Sequence, residues 1–405
     1  MSEVYKKNKL KSRIQHSWCS SMPLKILFFH NTLPEYRIEW FRELSKKCEV
    51  KFIFTNEKLT KINYGFDVDY DRVSDINCVF LRSGIEGAKQ LKQIINEFES
   101  YHFIELPPID SFKEAVVSWY IMRYCKKLKI KTGYFWEKWD APKDVQPFIR
   151  KVKNLILRII PRAIYKKVDI LFSAGTKSRE YFISNGMESA KICVIPDVSE
   201  TPDCAYEDVR KCYNIAPDKK LVVFLGRLLP QKGVDILISA FKMMSEDLQE
   251  KNHLLIAGDG EYKEYYQNLA KNLRLHNVTF TGAVQPSVRG NFFEQCDVFV
   301  YPVTYYKGWV DVWGLTINEA IQHGKIVIAT DAVGSAYDLI ESGVNGFRIE
   351  PGNAEALKDA LVKALTGDLD ESTRKKDKEV MEIFSYKNMA NCYLSFIDDT
   401  FNEFP

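Results

Sequence analysis

Two runs of alternating apolar and helix-patterned segments, parted by one polar stretch, constrain this chain more than any other feature. In the first half KILFFH (25–30), VKFIFT (50–55), NCVFL (77–81), YHFIEL (101–106), KTGYFW (131–136) and VDILFSA (168–174) are short, mostly apolar runs, and KICVIPD (191–197) closes the set. Strands buried on both faces read this way, and helices between them supply the crossovers of a parallel sheet. The stretch SETPDCAYED (199–208) interrupts the pattern as a linker, and the alternation resumes from residue 221. A chain of 405 residues is too long for one ordinary core. The expectation is two α/β domains, each built on a parallel sheet, residues 22–198 and 199–385, followed by a helix-patterned tail over 386–405.

Composition narrows the setting. Hydrophobic residues at 46% and charged residues at 27% are those of an ordinary soluble protein, and a net charge of +3 makes no case for nucleic acid. Nine cysteines without a C-x-x-C pair or zinc-ligand spacing suit a reducing cytoplasm. No run of eighteen apolar residues is present, so no membrane-spanning helix is expected. Residues 1–21 are basic and read as a disordered extension or a product of start-site choice, with a basic membrane-binding arm as the alternative.

The chemistry concentrates in GWVDVWGLTINEAIQHGKIVI (308–328). Asp311 and Glu319 stand eight residues apart with Trp313, Gly314 and Leu315 between them, after the strand-like CDVFVYPV (296–303). Leu315 to Gln322 reads as a helix stopped by Gly324. The unpaired N–H groups opening such a helix suit a phosphate, and Glu319, a turn further in, could accept hydrogen bonds from a ribose. The stretch reads as a nucleotide-diphosphate cradle.

This stretch resembles the E-x(7)-E motif of family 4 retaining glycosyltransferases, the group 1 glycosyl transferase type, and the resemblance extends over residues 220–360. LVVFLGRLLPQKG (221–233) is similar to the family's strand and loop bearing a donor-binding Arg and Lys, here Arg227 and Lys232. HLLIAGDGEY (253–262), FTGAV (280–284) and VIATDAVGSAYDLIESGVNGF (327–347) match later strands and turns in order. The resemblance implies the GT-B fold, two facing Rossmann-like domains with a C-terminal helix crossing back to the N-terminal one. It implies donor contacts at Gly226, Arg227, Lys232, Gly258, Asp259, Val284, Trp313, Gly314, Leu315, Thr316 and Glu319. Asp311 would lie near the transferred sugar and Glu319 at the ribose. The first acid is Asp where the family usually has Glu, so its carboxylate reaches about one bond less far.

Arg227 follows a buried strand and a glycine, so its guanidinium would project at the carboxyl end of a sheet, where open α/β folds bind ligands. With Lys232 it could neutralise a diphosphate leaving group. Asp259 reads equally well as a turn residue, and His102 as a structural histidine. Many relatives carry a histidine beside the reacting carbon, but GYFWEKWDAP (133–142) has none; Glu137 is the candidate replacement. The first loop, HNTLPEYRIEWF (30–41), lacks the relatives' Gly-Gly, which leaves Asn31 and Arg37 as contacts for the donor or a phosphorylated acceptor. DVDYD (67–71) holds D-x-D triplets of a metal-binding kind, but no metal is expected.

IRKVKNLILRIIPRAIYKK (149–167) has one apolar face, with Lys151, Arg158, Arg162 and Lys166 along its edge and a kink or break expected at Pro161. The apolar face is expected to pack on the N-terminal sheet, while the basic edge meets an anionic membrane or acceptor. The resemblance thus implies a metal-independent, retaining transferase of a hexosyl or related group. It would use a nucleotide-diphosphate sugar, with a UDP-sugar the expected co-substrate, and a glycan or lipid-linked acceptor. It would be cytoplasmic and peripheral on the inner face of the membrane. A nucleotide-sugar epimerase of the same fold and a non-catalytic nucleotide-sugar-binding protein remain open as rivals.

Overall fold

The computed structural model describes residues 23–56, 70–109, 112–151, 159–195, 197–201, 205–367 and 383–402. The extension before residue 22, the D-x-D aspartates Asp67 and Asp69, and Arg158 lie outside them. Among the described residues the chain separates into two compact units: one takes those within 23–138, 149–198 and 385–402, the other those within 139–148 and 199–384.

In the first unit β1 (Lys25–His30), β2 (Glu49–Phe54), β3 (Cys78–Phe80), β4 (Phe103–Glu105), β5 (Lys131–Trp136), β6 (Ile170–Ala174) and β7 (Ile192–Ile195) form one sheet. Its order is β3-β2-β1-β4-β5-β6-β7, with every pairing parallel. Central strands carry apolar residues toward both faces, as the sequence pattern demands: Ile26, Leu27, Phe28 and Phe29 are all buried. On one face Phe28, Trp40, Phe41, Phe52 and Tyr393 make a ring cluster with centroids 4.5–5.8 Å apart. Tyr393 comes from the helix Tyr386–Asn402, which packs on the helix Ile38–Ser45 and on β6 and β7. The tail is therefore part of the N-terminal unit's core. His102 is structural, its Nδ1 accepting the Lys25 N–H at 3.0 Å.

In the second unit β8 (Lys220–Leu225), β9 (Asn252–Ala257), β10 (Val278–Gly282), β11 (Val298–Tyr301), β12 (Ile326–Thr330) and β13 (Gly346–Ile349) form a parallel sheet of order β10-β9-β8-β11-β12-β13. The helix expected after β11 runs from Leu315 to Gln322, and Gly324 follows with φ +64°. Residues 139–148 belong to this unit, where the sequence suggested the other. Trp139 is the reason: its indole N–H donates to the Val312 carbonyl at 3.2 Å, and its buried ring meets Tyr337 edge-on at 6.4 Å.

One buried acid ties the tail to the sheet. Glu105, on β4, accepts the Tyr393 hydroxyl at 2.8 Å. Burial pushes its carboxyl up to about 8, only partly offset by Tyr393. An unfolded Glu ionises near 4.5, so the contribution from this group is fully present below that pH and is lost as pH rises toward about 8. Glu105→Gln keeps an acceptor for Tyr393 but cannot ionise. Its unfolding free energy should fall less than that of the unaltered chain between about pH 5 and about pH 8, by a few kcal/mol, as read from urea unfolding at each pH. Equal slopes would show that Glu105 does not carry this pH dependence.

Candidate functional site

In the second sheet β8 neighbours β9 on one side and β11 on the other, so the chain reverses its order between β8 and β11. Loops leaving the carboxyl ends of two such strands diverge and leave a crevice, the usual ligand position in open α/β sheets. Arg227 and Lys232 leave β8; Asp311 and the helix Leu315–Gln322 follow β11. The topology brings residues far apart in the sequence to hydrogen-bonding distance.

Lys232 is 7% exposed, and its ammonium donates to Asp311 Oδ2 at 2.6 Å. The Tyr301 hydroxyl, at the end of β11, donates to the same oxygen at 2.6 Å and accepts from Lys232. Lys232 also sits 4.8 Å from the Tyr301 ring centroid and 5.0 Å from that of Trp309. Burial works to raise the Asp311 carboxyl, but Lys232, Tyr301 and Arg227 together hold it below the usual carboxylate range. Burial and Asp311 drive the Tyr301 phenol well above its ordinary value, so it remains a donor. Backbone bonds from Asp311 to Ala332 and from Gly334 to Asp311 pin the loop to the turn after β12. One carboxylate oxygen is tied; Oδ1 meets no donor among the described residues.

Glu319 is held in a parallel way. It is 1% exposed, and its Oε1 receives the Ser199 hydroxyl and, at 2.8 Å, the Arg289 guanidinium. Its Oε2 is buried and unpartnered among the described residues. Burial raises its carboxyl, with Arg289 and Ser199 pulling the other way. Ser199 is itself fixed by Gln322, whose amide donates to the Ser199 carbonyl at 2.9 Å.

Gly314 opens the helix with φ +83°, and an added Cβ would come within 2.6 Å of Val333, so glycine is required here. No side chain caps the helix, and half-buried Leu315 and Thr316 follow as its first residues. Gly258 packs so closely on the Gly226 carbonyl that a Cβ would lie 1.9 Å from that oxygen. Arg227 is exposed beside this contact, and Val284 is half-buried in the loop after β10.

Two donor candidates have structural partners. Trp313 is 2% exposed, donates to Asn318 at 3.0 Å and stacks on Phe384, so its ring is core. Asp259 is a turn residue: its carboxylate accepts the Gly260 N–H at 2.8 Å and pairs with Lys263 at 3.0 Å.

In the other unit, two candidates given separate duties meet each other. Arg37 is 2% exposed, bonds Glu137 Oε1 and lies 3.2 Å from Asp197, with its guanidinium 4.5 Å from the Phe135 ring centroid. Burial opposes its charge, but Asp197 and Glu137 outweigh burial and raise its pKa. Arg37 is thus a buried counter-ion instead of an open phosphate contact, because two carboxylates converge on it. Burial and Glu137 lift Asp197 well above the usual range despite Arg37, and burial with Arg37 lowers His30 to about 3. Asn31 is engaged in its own turn, accepting the Thr32 N–H at 2.8 Å. On the basic segment Lys151 and Lys166 are exposed, whereas Arg162 is half-buried and reaches Asn185 at 3.4 Å, which removes it from a free basic edge.

Tyr301, Ser199 and Arg289 were absent from the sequence reading. A tyrosine ending an otherwise apolar strand was a usable signal; a linker serine and a helix-start arginine gave none.

Residues 206–380 match the family model described as glycosyl transferases group 1. An uncharacterized glycosyltransferase of Methanocaldococcus jannaschii is 29% identical over 45% of this chain and 45% of its own. The GDP-mannose-dependent alpha-(1-6)-phosphatidylinositol monomannoside mannosyltransferase of Mycobacterium tuberculosis is 28% identical over 52% of this chain and 56% of its own. The chain thus spans about half the length of these curated relatives. The structure of Anabaena HepE in complex with UDP superposes with a TM-score of 0.68 at 17% identity, covering 93% of this chain and 100% of that one. The fold is GT-B, and residues 206–380 are a domain of the group 1 glycosyltransferase kind.

Removing the Asp311 charge strands the Lys232 ammonium. Asp311→Asn should destabilise the full chain by about 3 kcal/mol in urea unfolding, the scale for breaking one side of a buried pair. The double variant Lys232→Met with Asp311→Asn should regain much of that loss. A double-variant loss equal to the sum of the singles would mean that the pair is not coupled.

Proposed function

We propose that the chain is a retaining glycosyltransferase, moving a sugar from a nucleotide-diphosphate donor to a hydroxyl of a glycan or lipid-linked acceptor in surface polysaccharide or glycolipid synthesis. The observation that carries this reading is the pair of acids beside the β8/β11 crevice, each tied by one oxygen and offering the other. A sugar nucleotide has hydroxyls at both ends and a diphosphate between them. Glu319 would accept from the ribose and Asp311 from the transferred sugar. Arg227, Lys232 and the amides opening the helix after Gly314 would stabilise the charge gathering on the leaving diphosphate. The bond from the anomeric carbon to the diphosphate breaks, the bond to the acceptor oxygen forms on the same face, and the acceptor proton passes to the leaving phosphate. Cations supplied by the protein make the scheme metal-independent. Glu137 stands in for the relatives' histidine as the polar group on the acceptor side.

The donor proposed is a UDP-sugar, after the UDP held by HepE; GDP-mannose, named for the mycobacterial relative, is the competitor to test. That relative's name also supports a lipid acceptor. Among the described residues no helix is long and apolar enough to cross a membrane. Phe148, Ile149 and Ile159 are 69–80% exposed, and Lys151, two residues after Ile149 in the sequence, is exposed as well. Apolar side chains next to a cation suit an anionic lipid surface, so the protein would act peripherally, on the cytoplasmic face.

Arg227 tests the chemistry cleanly because it is exposed. Arg227→Ala should keep the thermal midpoint and cut sugar transfer about a hundredfold, and Lys232→Ala should cut it at least as much. Normal transfer by either folded variant would remove that cation from the mechanism. Product from donor alone, as an isomerised sugar, would identify an epimerase; nucleotide-sugar binding without turnover on any acceptor would leave a binding protein. The membrane reading is tested with vesicles. Sedimentation should require anionic lipid, weaken with salt, and fall when Phe148, Ile149 and Lys151 are all changed to Ser. Indifference to anionic vesicles at low salt would favour a soluble acceptor.

A further inference from the structure

Glu319 lies on a helix interior position at 1% exposure, an expensive place for a carboxylate. Two groups offset that cost, and both act on the same atom: the Ser199 hydroxyl and the Arg289 guanidinium converge on Oε1. Neither touches Oε2, which is buried without a partner among the described residues. A buried acceptor left open is costly unless a ligand donor completes it. The two holding groups come from different parts of the unit. Arg289 starts the helix Arg289–Gln295, and Ser199 is anchored through its carbonyl by the Gln322 amide. The carboxylate is thereby fixed in rotation from two directions, and its free oxygen has one orientation.

We infer that Arg289 and Ser199 are positioning residues of the donor site, which hold Glu319 by Oε1 so that Oε2 accepts a ribose hydroxyl and selects ribonucleotides over deoxyribonucleotides. This rests on the proposed function, in which Glu319 meets the ribose. Arg289 has a second part in it. A buried carboxyl without a cation takes up a proton more readily, and a protonated acid no longer presents two acceptors. The guanidinium keeps Oε2 an acceptor while itself staying off the ligand. Ser199 contributes direction without charge, so its loss should matter less than that of Arg289.

The experiment compares UDP with 2′,3′-dideoxy-UDP as ligands of the full chain by titration calorimetry. The unaltered protein should favour UDP by about tenfold to a hundredfold, the range for a hydrogen bond to a charged group. Arg289→Met should lose most of that ratio by weakening UDP alone, leaving the dideoxy compound where it was. Arg289→Lys should recover part of the ratio, and Ser199→Ala should lose about half of it on a logarithmic scale. A purely structural role would weaken both ligands equally and leave the ratio unchanged, which would overturn the inference while the proposed function stood. Ser199→Ala removes a single oxygen, so it tests the same ratio should Arg289→Met fail to fold. Failure of the unaltered protein to bind UDP or GDP would instead sink the proposed function and this inference with it.

Discussion

The contact between Lys232 and Asp311 is the one on which the rest of the candidate site depends. A lysine at 7% exposure is stable only with a counter-charge at hand, and Asp311 supplies it at 2.6 Å. That requirement joins the loop after β8 to the loop after β11, the two that part at the switch in strand order. Everything else near the crevice adapts to it. Tyr301 ends β11 with a hydroxyl aimed at the same carboxylate, and the Asp311 backbone is bonded to the turn after β12. Gly314 then takes a left-handed conformation, and the helix bearing Glu319 begins. Shortening Glu to Asp at the first acid fits this frame, because Oδ2 already lies within reach of both donors.

Much of this was legible in the sequence, and physics explains the part that was not. Apolar runs with helix-patterned spacers gave both parallel sheets, because a strand buried on two faces has almost no other composition. The helix bounds at Leu315 and Gln322 followed from a glycine at each end. Arg227, Lys232, Asp311 and Glu319 were found because charge beside glycine at strand ends stands out. Pairing between distant side chains left no such trace. Arg37 and Glu137 are 100 residues apart in sequence, and nothing local says that they meet. Trp313 was read as a donor contact by resemblance, yet an aromatic ring beside a crevice serves the core just as readily.

The N-terminal unit answers the same electrostatic problem differently. Around Arg37 there are two carboxylates for one guanidinium, all near the carboxyl ends of β1, β5 and β7. Burial resolves the imbalance by lifting Asp197 well above the usual carboxylate range. Burial, with the guanidinium adding to it, keeps His30 neutral, and the rings of Phe135 and Trp40 flank Arg37 at 4.5 and 5.3 Å. The charge of Arg37 is answered within the unit through Nη2, while its Nε and Nη1 meet no acceptor among the described residues.

The two acids of the second unit are arranged otherwise, and the difference bears on what each unit can bind. Asp311 and Glu319 each receive one cation and one hydroxyl on a single oxygen. A cation alone would fix charge but leave the carboxylate free to rotate, and a hydroxyl alone would fix rotation but leave burial to protonate it. The combination orients the acceptor and opposes the protonation that burial favours, so little reorganisation remains to oppose binding. For Glu319 the remaining oxygen is buried and has no other partner among the described residues, which is a standing cost to the folded chain. A site that bears such a cost in its empty state recovers it when a hydroxyl enters, and a ligand lacking that hydroxyl leaves the cost in place.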